Sequence, residues 1–96
     1  MKYALIGCGR IATNHVKAVL NNGLEFVAAC DVELNNIETL LAKHNLENDK
    51  SIARYTDYKK MIEEHPELEL VAIATSSGAH AEIALYCIDH NINVII

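Results

Sequence analysis

The sequence predicts an α/β fold, in which helices cover both faces of a parallel β-sheet. Apolar runs alternate along the chain with amphipathic segments of about ten residues, and strands that alternate with helices of this length form parallel sheets. The apolar runs are also nearly continuous in Val, Ile, Leu and Ala, as strands buried on both faces require.

The first half of the chain predicts two strands, each followed by a helix. Lys2–Ile6 and Glu25–Cys30 are the strands, and Ile11–Leu20 and Leu34–His44 repeat apolar residues at helical spacing. Gly23 follows the first helix, where a left-handed cap would end it. The helical residues predicted to face the core are Ile11, Val16, Val19, Leu20, Ile37, Leu40 and Leu41.

The second half predicts three further strands and two helices, at Ile52–Tyr55, 57–64, Leu70–Ala74, Ala79–His90 and Asn93–Ile96. Thr56 or Asp57 can cap the helix that ends before Pro66. The residues predicted to face the core are Tyr58, Met61, Ile62, Ile83, Ala84, Cys87 and Ile88. Because the last strand stops inside an apolar run, we expect a truncated N-terminal part of a longer protein.

Composition limits the number of domains and the classes of partner. A chain of 96 residues with 51% hydrophobic residues predicts one folded domain. The net charge of −5 argues against a nucleic-acid partner, and the apolar runs are too short to cross a membrane. We expect no signal peptide, free thiols for the three cysteines, no metal site and a cytoplasmic location.

A glycine-rich hexapeptide, GCGRIA, follows the first predicted strand and opens the first helix. In that context G-x-G-x-x-A is typical of a dinucleotide-binding turn. Gly7 would permit the turn, Gly9 would let a diphosphate approach the backbone, and Ala12 would let the helix pack closely. The N–H groups near Arg10 and Ile11 would then face the phosphates. A turn without a ligand is the alternative.

Asp31 ends the second predicted strand, 22 residues after Gly9. An acid near this spacing accepts the hydroxyl groups of the adenosine ribose. No Arg or Lys adjoins Asp31 in the sequence to bind a 2′-phosphate, and Glu33 would repel one, so NAD is favoured over NADP. Asp31 as a cap of the second helix is an alternative that does not exclude the first role.

The polar segment from Ala74 to His80 follows the fourth predicted strand. We expect the strand order 3-2-1-4-5, in which the first and fourth strands are neighbours and their connections leave in opposite directions. A crevice then opens between their carboxyl ends. The glycine loop would border one side of this crevice and the segment after the fourth strand would border the other.

The segments GCGRIA, Cys30–Asp31 and VAIATSSGAHAEIALYCIDHNINVII, together with His15, resemble the Gfo/Idh/MocA oxidoreductases over essentially the whole chain. The resemblance implies a Rossmann-type cofactor domain at 1–96 and a C-terminal substrate domain outside it. It also implies hydride transfer between nicotinamide and a secondary alcohol of a sugar, cyclitol or sugar nucleotide. The family's catalytic lysine follows the fifth strand in Glu-Lys-Pro, so no catalytic residue is expected before Ile96. We expect the full-length protein to be a homo-oligomer.

The resemblance also implies which residues touch the cofactor. These are Gly7, Cys8, Gly9, Arg10 and Ile11 around the diphosphate, Asp31 at the adenosine ribose, Ala74, Thr75 and Ser76 at the nicotinamide, and His80 at the nicotinamide ribose. The family usually has Thr-Pro-Asn where this chain has Thr75-Ser76-Ser77, which adds a hydrogen-bond donor to the loop.

Other interpretations compete with these assignments. Cys8, at a helix N-terminus, could have a lowered pKa and react, whereas Cys30 and Cys87 are typical of small buried side chains. His15 is expected to be a core histidine with a hydrogen bond. A non-catalytic NAD-sensing module and an S-adenosylmethionine-dependent methyltransferase are the rival functions.

Overall fold

The computed structural model describes the backbone of residues 1–96 and every side chain except that of Ser77. Five strands alternate with four helices. They are β1 (Lys2–Ile6), α1 (Ala12–Asn21), β2 (Glu25–Cys30), α2 (Leu34–Lys43), β3 (Ala53–Tyr55), α3 (Tyr58–Glu64), β4 (Leu70–Ile73), α4 (Ser77–Asp89) and β5 (Asn93–Ile95).

The strands form one parallel sheet in the order β3-β2-β1-β4-β5, which confirms the predicted doubly wound topology. The chain moves outward from β1 to β3, then crosses back to β4. Because every strand is parallel, all carboxyl ends lie at one edge. The loops after β1 and β4 are therefore neighbours, and the Ala74 N–H donates to the Ile6 carbonyl at 2.7 Å.

Alternate residues of the strands build two separate cores. Tyr3 and Leu5 pack with residues of α1 and α2 on one face, whereas Ala4 and Ile6 pack with residues of α3 and α4 on the other. Since successive strand side chains point to opposite faces, a strand covered on both sides must be apolar at every position. This explains the continuous apolar runs of the sequence.

Helix ends account for most differences from the predicted elements. Ile11 is 68% exposed because α1 begins one residue later, and Leu20 and Ile88, at the last turns of their helices, are 49% and 56% exposed. The prediction that these three face the core was wrong. The predicted cap Asp57 accepts a hydrogen bond from the Lys59 N–H at 2.9 Å, which confirms it.

Three helices end in the same way. Gly23 has φ of 66° as predicted, and Asn45 and Asn91 each have φ of 60°. In each case the next N–H bonds back to a carbonyl five residues earlier, as from Leu24 to Val19. Asn tolerates the left-handed region better than other non-glycine residues, so both asparagines could have been read as helix stops. No helix among the described residues is both long and apolar enough to span a membrane.

Candidate dinucleotide-binding cleft

A cleft of about 500 Å³ opens at the carboxyl edge of the sheet. Six of the predicted site residues line it, and they come from the loops after three strands: Gly7, Gly9, Asp31, Ala74, Thr75 and Ser76. The doubly wound topology, and not sequence proximity, brings these loops together.

Gly7 is required by the fold itself. Its φ is 95°, and a Cβ at this position would lie 2.6 Å from the Ala74 carbonyl carbon and 2.7 Å from the Thr75 nitrogen. The Gly7 N–H also donates to the Cys30 carbonyl at 2.8 Å. Gly7 therefore joins the ends of β1, β2 and β4 at a spacing that leaves no room for a side chain.

Gly9 is surrounded differently, although it lies only two residues further on. A Cβ built there has no protein atom within 4 Å among the described residues, and its φ is outside the left-handed region. Neither backbone strain nor a close neighbour explains glycine at this exposed position. The open space faces the cleft, where a ligand could approach the main chain.

The N-terminus of α1 adjoins Gly9 and has no side-chain cap. Ile11 stands at the cap position, and the first turn carries no acidic residue. The Ala12 N–H donates to the Gly9 carbonyl at 3.1 Å and the Asn14 N–H to the Ile11 carbonyl at 3.2 Å. An anion at this end of α1 would therefore be attracted by the positive end of the helix dipole and by the neighbouring N–H groups that these bonds do not use. This end of α1 can therefore hold a phosphate group.

Asp31 holds its carboxylate at the edge of the cleft with three hydrogen bonds. Oδ2 accepts from the Cys8 N–H at 2.8 Å, and Oδ1 accepts from the Glu33 N–H at 2.8 Å and from Asn36 Nδ2 at 3.3 Å. Glu33, and not Asp31, is the cap residue of α2, so Asp31 makes a turn before the helix. Since each carboxylate oxygen has two lone pairs, Oδ2 can still accept a further hydroxyl.

His80 contacts the loop that borders the cleft. Its Nε2 is 2.6 Å from the Thr75 carbonyl oxygen, to which it donates, and it is absent from the described lining. The structure therefore places His80 where it supports Thr75 and does not place it against the cleft. Ser76, which stands where the family usually has proline and so adds a donor to the loop, lines the cleft, whereas the side chain of Ser77 lies outside the described residues.

Two of the remaining predicted residues line a second, smaller cleft beside the glycine loop. Cys8 and Arg10 line this cleft of about 180 Å³, which also includes Gly9 and residues of α2. Ile11 is in the described lining of neither cleft. His15, predicted to be a core residue, is only half-buried.

The cysteines have no activated thiol. Burial, together with the nearby Asp31 carboxylate, raises the pKa of Cys8 to about 12. The alternative of a lowered Cys8 pKa is therefore wrong, because the thiol is buried and desolvation disfavours the thiolate. Cys30 and Cys87 are buried as predicted, and burial raises their pKa values to about 12 and about 11.

The sequence interpretation missed one end of the main cleft. Val32, Thr56, Tyr58 and Glu82 line it, and the Tyr58 hydroxyl donates to Glu82 Oε2 at 3.0 Å. Thr56 directly follows β3, so its place at the carboxyl edge could have been inferred from the topology. Glu82 could not, because it comes from the middle of α4. The described residues contain no cluster of three or more metal-ligating side chains.

A parallel sheet in this order, with a tight glycine turn, an uncapped helix and an acid at adjoining strand ends, defines the Rossmann class of dinucleotide-binding proteins. The model of the oxidoreductase family Gfo/Idh/MocA, described as its NAD-binding Rossmann fold, matches residues 1–96. The chain belongs to this family.

Relatives and solved structures agree with this assignment. The chain is 30% identical over 93 residues to inositol 2-dehydrogenase of Salmonella typhimurium, covering 95% of this chain and 26% of that protein. An oxidoreductase from Agrobacterium radiobacter, solved with NAD⁺, L-tartaric acid and magnesium, matches 98% of this chain and 26% of its own with 25% identity and a TM-score of 0.83. Myo-inositol 2-dehydrogenase from Lactobacillus plantarum also matches 98% of this chain and 26% of its own, with 28% identity and a TM-score of 0.80. The chain thus spans about a quarter of these relatives.

Proposed function

We propose that residues 1–96 bind NAD as the N-terminal cofactor domain of a longer oxidoreductase. The diphosphate would lie over Gly9 and the first N–H groups of α1, bordered by Gly7, Cys8, Arg10 and Ile11. The adenosine ribose would lie at Asp31. Bound NAD would supply a hydride acceptor at nicotinamide C4, and the described residues bind and orient it.

The open space at Gly9 is the observation that carries this proposal. The fold explains glycine at Gly7, because a Cβ there would clash with the backbone of Ala74. At Gly9, no described protein atom lies close enough to exclude a Cβ. A Cβ would fill the space between the main chain and the cleft. A diphosphate in contact with the loop backbone would explain why a residue without a side chain stands at this position.

Asp31 supports placing the adenosine ribose at the end of β2, next to the diphosphate over Gly9. Its carboxylate is held in place by the Cys8 and Glu33 N–H groups, and a free lone pair of Oδ2 can accept a ribose hydroxyl. A diol can donate to a carboxylate, whereas a 2′-phosphate would repel it. This favours NAD over NADP.

At the other end, Ala74, Thr75 and Ser76 would border the nicotinamide. Their loop is fixed on two sides, because the Ala74 N–H donates to Ile6 and His80 Nε2 donates to Thr75. In this assignment His80 acts through Thr75 and does not itself touch the cofactor.

The reaction of the longer protein would be hydride transfer between nicotinamide and a secondary alcohol of a cyclitol, sugar or sugar nucleotide. Family membership and the names of the two inositol dehydrogenases support this substrate class. The proton transfer that accompanies hydride transfer needs a base, and we assign it to a residue beyond Ile96.

Ligand titration tests the proposal. We expect NADH to bind with enhanced nicotinamide fluorescence and S-adenosylmethionine to leave the protein unchanged. Gly9→Ala should weaken NADH binding about tenfold or more, because the new methyl occupies the approach of the diphosphate. Its unfolding free energy should stay within about 1 kcal/mol of wild type, since φ and space at Gly9 tolerate Ala.

Gly78→Ala is the matched control. It also replaces a glycine whose Cβ would meet open space, and Gly78 is not in the described cleft lining. Its NADH affinity should equal that of wild type. Binding of S-adenosylmethionine without NADH, or equal NADH affinity in Gly9→Ala and wild type, would overturn the proposal.

A further inference from the structure

We infer that Glu82 accepts a hydrogen bond from the exocyclic amino group of the cofactor's base, so that the chain distinguishes adenine from a purine with a carbonyl in that place. This inference rests on the proposed dinucleotide site and names a residue that determines its specificity. The observation behind it is the hydrogen-bonded pair of Tyr58 and Glu82 at one end of the main cleft.

The position of Asp31 points the base toward this end of the cleft. The Asp31 N–H donates to the Tyr55 carbonyl at 3.0 Å, so the loop after β3 adjoins the end of β2. The residues that line the cleft there are Val32, Thr56, Tyr58 and Glu82. Since a base is bonded directly to its ribose, a ribose held at Asp31 would have its base beside these side chains.

Apolar side chains near this end suit the faces of a flat base. Val32 is 83% exposed and lines the cleft, so the chain leaves a branched apolar side chain in water at this position. Ala79 and Ile83 line the cleft from α4, and they share one helix face with Glu82 because residues three and four apart are neighbours. A purine in contact with these side chains would remove apolar surface from water.

Charge at this end favours a hydrogen-bond donor on the base. The charged residues in the described lining of the main cleft are Asp31 and Glu82, and that lining contains no Lys or Arg. A base with an N–H group directed at Glu82 would therefore be attracted, whereas a carbonyl oxygen in its place would be repelled.

Tyr58 holds the carboxylate of Glu82 in position. Its hydroxyl donates to Glu82 Oε2 at 3.0 Å, and burial, followed by this hydrogen bond, raises the pKa of Tyr58 to about 12. The hydroxyl thus remains a donor at neutral pH. Since each carboxylate oxygen has two lone pairs, Glu82 Oε1 can accept from an amino group. Tyr58 is a positioning residue, because it acts on the base through Glu82.

The reduced dinucleotide of nicotinamide and hypoxanthine, in which a carbonyl replaces the amino group of adenine, tests this inference. By fluorescence titration we expect the wild-type chain to bind NADH roughly three- to tenfold more tightly than the hypoxanthine analogue, because the site loses a donor to a charged but exposed group. Glu82→Gln should remove most of this preference, since an amide can donate to the carbonyl as well as accept from the amino group.

Tyr58→Phe and Glu63→Gln complete the set of variants. Tyr58→Phe should lower the ratio of the two affinities, which a purely structural role of the hydroxyl would leave unchanged. Glu63→Gln is the matched control, because Glu63 also accepts from a tyrosine hydroxyl, that of Tyr86 at 3.4 Å, but is outside the described cleft lining. It should keep the wild-type ratio, and urea denaturation of each variant measures its stability.

The outcomes distinguish this inference from the proposed function. If the wild-type chain binds NADH and the hypoxanthine analogue equally, or if Glu82→Gln keeps the wild-type ratio, the assignment of Glu82 is wrong and the proposed function stands. An equal loss of affinity for both dinucleotides in Glu82→Gln also overturns the assignment. If neither dinucleotide binds to the wild-type chain, the proposed function itself fails.

Discussion

The loop after β1 contains two glycines, and their surroundings differ. Gly7 is buried against the backbone of the β4 loop and has a left-handed φ, whereas Gly9 is exposed and meets open space. The same residue type therefore serves the packing of the sheet at one position and leaves room for a ligand at the other. The comparison separates what the fold needs from what only binding needs.

Gly7→Ala should have the largest effect. The new Cβ would lie 2.6 Å from the Ala74 carbonyl carbon in the loop after β4, and this backbone cannot move aside as a flexible side chain can. We expect the free energy of unfolding to fall by about 3 kcal/mol or more, measured by urea denaturation.

Gly23→Ala is the control for Gly7→Ala. Gly23 also has a left-handed φ, of 66°, but its Cβ would meet open space. It should lose only about 1 kcal/mol. Equal losses in the two variants would mean that strain, and not the contact with Ala74, makes Gly7 necessary.

Asp31→Asn tests the ligand side of the comparison. The amide keeps an oxygen that can accept from the Cys8 or Glu33 N–H but loses the charge and one acceptor. We expect NADH affinity to fall about tenfold, corresponding to about 1.4 kcal/mol, measured by fluorescence titration. Urea denaturation should show a smaller loss of stability than Gly7→Ala. An unchanged NADH affinity would remove Asp31 from the proposed ribose site.

The smallest expected effect concerns Cys8, which lies between the two glycines. The pH dependence of stability that its thiol causes shows whether this part of the loop is buried. Because burial raises its pKa to about 12 in the folded chain, the unfolded thiol loses its proton first as pH rises above about 9. The folded state then binds more protons, so stability falls with rising pH.

Cys8→Ser should remove about 1 kcal/mol of the stability loss between pH 8 and pH 10. Urea denaturation at both pH values measures it, with Cys87→Ser as a comparison at a buried thiol away from the loop. The same alkaline loss in Cys8→Ser and wild type would contradict a buried Cys8. The two proteins need not be equally stable at pH 8, because the change in unfolding free energy between pH 8 and pH 10 is measured for each protein separately.

Much of the fold followed from local chemistry. The strands were predictable because burial on both faces demands apolar residues throughout, and the alternation with helices predicted that they are parallel. The strand order was predicted from the dinucleotide-binding turn after the first strand, which is typical of one doubly wound topology. Helix ends were less predictable: Ile11, Leu20 and Ile88 are apolar residues at helical spacing, yet they lie where the helix is no longer covered. The spacing of apolar residues predicts which way a side chain points from its helix. It does not show whether another helix or strand covers that side chain.

The sequence by itself determined the sheet, the glycine turn and the acid at the end of β2, because each depends on residues close together in the chain. Only the tertiary structure decided that Gly7 contacts the β4 loop, that His80 supports Thr75, and that Arg10 and Lys43 line one cleft. These relations join residues from different strand–helix units, so their distances depend on how the units pack. The local sequence pattern specifies each strand–helix unit, whereas the packing of the units determines the clefts and contacts between them.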